Sequence, residues 1–170
     1  MNQPELISAL SDKALVEIDH EISHAPYRSA VAIDALKIVQ KYHGWVSDDS
    51  LRALAKYLDM SDAELEGIAT FYNHVYRRPV GKKVIMFCNS VSCWIKNSDE
   101  LQEKISQVLG IGPGETTADD EYTFIPVPCL GACDRAPVMM VGEDMHYDLD
   151  AKKIEELFYD AAKRNSEAKQ

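Results

Sequence analysis

Nowhere in this sequence does an apolar run approach the roughly 20 residues needed to cross a bilayer. The opening Met1-Asn2-Gln3-Pro4-Glu5 lacks a basic start, and neither an apolar stretch nor a small-residue cleavage site follows it, so an unprocessed, soluble chain is expected. Positive charge is also short: 18 Lys and Arg stand against 28 Asp and Glu, a formal net charge of −10. That balance argues against nucleic acid and against an anionic membrane surface as partners. There is no glycine-rich dinucleotide fingerprint at a strand–helix junction, no phosphate loop and no Ser/His/Asp grouping, so no catalytic residue is assigned. Gly110-Ile111-Gly112-Pro113-Gly114 is rich in glycine but contains proline and follows a helical pattern, which makes it a turn. His20, His24, His43, His74 and His146 are scattered, and none is assigned to a metal or to proton transfer.

Cysteine is scarce as well, with four in 170 residues, yet every one belongs to a close pair. Cys88 and Cys93 enclose Asn89-Ser90-Val91-Ser92, and Cys129 and Cys133 enclose Leu130-Gly131-Ala132. In a reducing compartment such pairs point to metal ligands or redox thiols rather than disulfides. Four thiolates suit a [2Fe–2S] cluster, a [4Fe–4S] cluster or structural zinc. Zinc favours the tighter Cys-x-x-Cys knuckle, absent here, whereas a two-iron rhomb divides its ligands between two metals and accommodates wider loops. The ligand runs of plant-type and bacterial four-iron ferredoxins are missing too, and no histidine pair is placed for a Rieske centre. On spacing alone a two-iron cluster ranks first, zinc second and a dithiol/disulfide couple third. Gly131 and Ala132 leave room for backbone N–H groups near sulfur, and Pro126, Pro128 and Pro137 stiffen the approach to the second pair and the exit from it. Asp134 and Arg135 are read either as a partner-facing rim or as a solvated pair, and Trp94 either as a cover for the site or as helix packing.

The rest of the chain divides near Pro79 into residues 1–79 and 80–170. In the first part, Leu15, Ile18 and Ile22 repeat at helical spacing and Pro26 stands beyond as a stop. Ala32, Ala35, Leu36 and Val39 form a second stripe, closed by Gly44. Leu51, Leu54, Ala55 and Leu58 form a third, opened by Ser47-Asp48-Asp49. Ser61-Asp62-Ala63-Glu64 is a capping-box pattern for a fourth helix carrying Leu65, Ile68, Ala69 and Tyr72. These stripes read as the core of a helical bundle, with Tyr42 and Trp45 as packing residues.

After Pro79 the pattern changes. Lys82–Phe87 reads as a buried strand ending at Cys88, and Tyr122–Val127 as a second strand ending just before Cys129. Between them Leu101, Ile105, Val108 and Leu109 mark a helix. Pro137–Val141 is a third strand, paired across Gly142-Glu143-Asp144 with a short piece at 145–147. Ile154, Leu157 and Phe158 mark a last helix, and Arg164–Gln170 is expected to fray. If the first two strands run parallel, their ends, and with them both cysteine pairs, fall on one sheet edge. The expected fold class is α+β: a helical bundle, then a small mixed sheet flanked by helices in a thioredoxin-like order.

Cys88-Asn89-Ser90-Val91-Ser92-Cys93 followed by Cys129-Leu130-Gly131-Ala132-Cys133 resembles the thioredoxin-like [2Fe–2S] ferredoxin family. Ala35-Leu36-Lys37-Ile38-Val39-Gln40 leading to Gly44-Trp45-Val46, and Glu66-Gly67-Ile68-Ala69-Thr70-Phe71-Tyr72, resemble the helical N-terminal region of the small, E-type iron–sulfur subunits of bacterial NADH:quinone oxidoreductases, the respiratory complex I enzymes. The resemblance spans about Ile18 to Lys163 and departs at no cysteine position. It implies that Cys88, Cys93, Cys129 and Cys133 ligate one [2Fe–2S] cluster in an electron-transfer subunit of an oxidoreductase complex. It further implies a flavoprotein partner binding FMN and NADH, a larger iron–sulfur subunit beside it, and a cytoplasmic place peripheral to the inner membrane. Equivalent subunits serve NAD-dependent formate dehydrogenases and bidirectional hydrogenases, and a zinc-stapled interaction module is the reading from outside redox chemistry.

Overall fold

In the computed structural model, which describes residues 9–167 (side chains through Lys163), the chain gathers into two units, Met1–Pro79 and Val80–Gln170. The signals noted at Met1–Glu5 and the last residues of the expected tail, 168–170, lie outside the described residues.

The first unit is helical. Helix α1 (Asp12–Ser23) is opened by Ser11, whose side chain accepts the Ala14 N–H, and a 3₁₀ turn (Arg28–Val31) leads into α2 (Ala32–His43). Gly44 closes α2 at φ 80°, a left-handed conformation that glycine adopts without a Cβ penalty, and its N–H donates to Gln40 O at 2.7 Å. Ser47 caps α3 (Asp48–Tyr57). At α4 (Asp62–Phe71) both halves of the capping box form: the Glu64 N–H donates to Ser61 Oγ, and the Ser61 N–H to Glu64 Oε2 at 2.9 Å. Ile18, Leu36, Val39, Leu54, Leu58 and Leu65 are fully buried together. Arg77 draws the segment after α4 back onto this bundle, pairing at 2.8 Å with both Asp48 and Glu66 and donating to the Val46 carbonyl. Trp45 is half-buried, but Tyr42 departs from the core expectation. Its ring is exposed, and its hydroxyl donates to Glu17, which also pairs with Lys41. Tyr72 is likewise exposed, because α4 ends at Phe71 and the chain turns extended there.

The second unit is built on a four-stranded sheet of order β2-β1-β3-β4. Strand β1 (Lys83–Cys88) is buried from Val84 onward, as a central strand of a covered sheet must be. It runs parallel to β2 (Tyr122–Val127), in register from Lys83 opposite Tyr122 to Cys88 opposite Val127. On its other side it pairs antiparallel with β3 (Met139–Val141), which turns through Gly142 into β4 (Asp144–His146). The third strand is shorter than expected: Pro137 has no N–H for a ladder, and pairing begins at Met139. Pro126 is tolerated in β2 because that strand is an edge.

Two helices follow Cys88 before β2. Helix α5 (Val91–Ile95), absent from the expectation, spans one turn between the first two cysteines and beyond; α6 (Ser98–Leu109) lays Leu101, Ile105 and Leu109 into a core with Ile85, Phe87 and Phe124. The expected last helix is two: α7 (Ala151–Leu157) breaks at Phe158 and α8 (Tyr159–Glu167) continues. Ile154 and Phe158 join the same core, while Leu157 is exposed. Helix also persists through 164–167, where fraying was expected.

Candidate metal centre

The parallel pairing of β1 and β2 fixes the site. Both strands stop at the same level, so Cys88 ends one strand opposite Val127, and Cys129 follows Val127 by two residues. The Asn89 N–H donates to Val127 O at 3.0 Å and the Cys88 N–H to Val138 O at 3.2 Å, which anchors the strand end between both neighbours. Helix α5 then returns Cys93, and a loop with a 3₁₀ turn (Cys133–Arg135) returns Cys133.

All four cysteines are free. They differ in depth: Cys88 and Cys93 are each 1% exposed and pack with Ala136 and Val138, whereas Cys129 and Cys133 are exposed. The site therefore has an inner pair and an outer pair. Cys129 Sγ and Cys133 Sγ are 3.8 Å apart, and Cys88 Sγ lies 3.6 Å from Pro128 O in the second loop. Cys93 interacts with Cys88 and Cys133, and Cys129 with Cys88, so the four sulfurs form one connected set.

The same contacts set the acidity of the thiols. Burial pushes Cys93 up to about 11, its hydrogen bond with Cys88 adding and the Val138 N–H opposing. The Gly131 N–H, 3.3 Å from Cys129 Sγ, holds Cys129 below the usual thiol value, as expected where a donor faces a thiolate. Gly131 reaches this position at φ +84°. Cys133 is raised by its bond to Cys129, with the Ser92 hydroxyl pulling the other way.

The donor set fits a thiolate-ligated cluster. Four soft sulfur donors converge, two in a dry pocket and two at the rim, with backbone N–H groups directed at sulfur. Among the described residues no group of three or more His, Cys, Asp or Glu is placed to hold a metal ion.

The sequence profile of the thioredoxin-like [2Fe–2S] ferredoxins matches residues 18–162. The chain belongs to that family. This thioredoxin-like ferredoxin is 42% identical over 153 residues to the E subunit of the NADH-quinone oxidoreductase of Pseudomonas aeruginosa, covering 88% of this chain and 92% of that one. It is 44% identical over 140 residues to the counterpart from Escherichia coli strain K12, covering 82% of this chain and 84% of that one. Among solved structures it superposes on an NAD⁺-reducing [NiFe]-hydrogenase in the H₂-reduced state with a TM-score of 0.64 at 23% identity. The match covers 77% of this ferredoxin but only 22% of the hydrogenase chain, and the likeness is one of fold alone. The family's cofactor is a [2Fe–2S] cluster.

The neighbouring residues resolve unequally. Trp94 is 57% exposed on α5, as Val91 and Ile95 are exposed beside it. Asp134 is exposed, and Arg135 pairs with Asp148 at 3.1 Å while its guanidinium lies 4.1 Å from the Tyr147 ring centroid. The His20 and His24 rings lie tilted against each other in the helical unit, their centroids 4.7 Å apart. Two sulfur-directed donors escaped the sequence reading. The Val138 N–H carried no signal, being backbone, while Ser92 stood in plain view as a hydroxyl beside Cys93.

Proposed function

We propose that this chain is the iron–sulfur electron-transfer subunit of an NADH:quinone oxidoreductase, and that Cys88, Cys93, Cys129 and Cys133 ligate its [2Fe–2S] cluster. The observation that carries the reading is the linked set of four free thiols at the shared end of two parallel strands, in a chain of this family. Bound there, the cluster supplies a site that takes up and releases one electron. The protein's contribution is to hold the inner pair dry, direct the Gly131 and Val138 N–H groups at sulfur, and leave the outer pair where a partner can approach.

Residues 1–79 and 80–170 are proposed as two domains, the helical one serving support or docking. The partner is a flavoprotein that binds FMN and NADH, with a larger iron–sulfur subunit of the same complex nearby. This division of labour agrees with a chain in which no nucleotide motif is found. The complex places the chain in the cytoplasm, peripheral to the inner membrane. Among the described residues no helix is long and apolar enough to cross a membrane.

Affinity purification of the native chain under anaerobic conditions tests the assignment. A flavin-containing, NADH-oxidising partner is expected to come with it; a chain recovered alone, with stoichiometric zinc, contradicts the proposal.

A further inference from the structure

Two histidines meet at the end of α1. His20 and His24 stand at the i,i+4 spacing that puts two side chains on one helix face, and both are exposed. Their ring centroids are 4.7 Å apart, with the planes tilted by 49°. His24 is the C-cap residue, so the pair sits where the helix dipole favours positive charge.

The hydrogen bonds around the rings decide which nitrogens keep a lone pair. His24 Nδ1 lies 2.9 Å from the His20 carbonyl oxygen and 3.0 Å from Ser23 Oγ. The carbonyl can only accept, and the Ser23 hydroxyl already donates its hydrogen to that carbonyl at 2.7 Å. Both neighbours therefore require the proton on Nδ1, and the neutral ring keeps its lone pair on Nε2. The Glu21 carboxylate, 3.5 Å from His20 Nδ1, favours the proton there in the same way. An acceptor on the far nitrogen is what orients a metal-ligating histidine and raises its basicity. Here that arrangement occurs twice, on adjoining rings.

We propose that His20 and His24 chelate a divalent zinc-class ion through their Nε2 atoms, with water completing its shell. Imidazole nitrogen suits zinc, copper or nickel, whereas magnesium and calcium seek oxygen. Zn–N bonds of about 2.0–2.1 Å ask both rings to close on one ion, which small side-chain rotations allow at the observed ring separation. With only two protein ligands the ion is exchangeable, unlike a structural zinc held by four. The site shares no residue with the cysteine centre and does not depend on the role of those cysteines.

The test titrates Zn²⁺ into the full chain, with calorimetry and ¹⁵N-histidine magnetic resonance as readouts. Zinc taken by other groups is common to wild type and to His20→Gln and His24→Gln, so the difference isolates the pair. Each single variant is expected to weaken the added zinc site by at least the roughly 10–100-fold that losing even an outer partner costs. In wild type the Nε2 signals of both rings should shift together while each Nδ1 stays protonated. Val16 is exposed and four residues before His20, so Val16→His in the His24→Gln background should recover zinc binding. Zinc uptake equal in wild type and both single variants, with neither ring signal moving, would overturn the proposal.

Discussion

Cys88, the last residue of β1, stands opposite Val127, the last residue of β2, in a parallel register. That single relationship brings together two cysteine pairs whose nearest members, Cys93 and Cys129, are 36 residues apart in sequence. It also assigns depth. The pair that follows the central strand is buried, and the pair that follows the edge strand is exposed.

The ligand assignment predicts that Cys93→Ala and Cys129→Ala each remove most of the visible absorbance of the anaerobically purified chain. Far-ultraviolet circular dichroism should show the helices retained, since the helical unit has a core of its own. A variant that keeps the full absorbance removes that cysteine from the ligand set.

Glycine substitutions should act in opposite directions. A Cβ on Gly81 would stand 2.9 Å from Asp120 O and 3.0 Å from Tyr122 N, both backbone atoms, while the Gly81 N–H donates to Thr123 Oγ1 at 2.6 Å. Gly81→Ala is expected to cost about 1–3 kcal/mol through overpacking. Gly67 is exposed inside α4 with nothing near its Cβ position, so Gly67→Ala should stabilise by roughly 0.5–1 kcal/mol. Denaturant unfolding of both variants checks the signs.

The capping box gives a pH dependence. The Ser61 hydroxyl and backbone N–H hold the Glu64 carboxyl below its ordinary value of 4.5. Its folded value being lowered, Glu64 contributes stability that is present above pH 4.5 and is lost as pH falls through the folded value. Thermal unfolding of Glu64→Gln should therefore lose part of the acid-side slope seen in wild type. Ser61→Ala should cost about 1 kcal/mol at neutral pH, the usual worth of an N-cap. An unchanged slope in Glu64→Gln would show that other carboxylates carry it.

The helical stripes and the capping box were legible because a period of about 3.6 over ten or more residues leaves a readable pattern. Strand β2 has the bounds its apolar run marks out, Tyr122–Val127. Helix α5 was illegible: five residues carry no period, and Ser92, Cys93 and Trp94 have no strong helix preference. On that one turn Cys93 is buried while Trp94 is exposed. The break at Phe158 was hidden because Ile154 and Phe158 keep helical spacing across it. At the site, spacing identified which cysteines could meet, but the inner–outer asymmetry depends on strand order, which only the folded sheet defines.

The most direct test of the central claim is the metal content and electron count of the full chain purified without oxygen. The account predicts about two irons and two acid-labile sulfides per chain and, on dithionite reduction, bleaching with a paramagnetic signal of about one spin per chain. Colourless protein holding one zinc per chain, with neither sulfide nor a reducible signal, would contradict it.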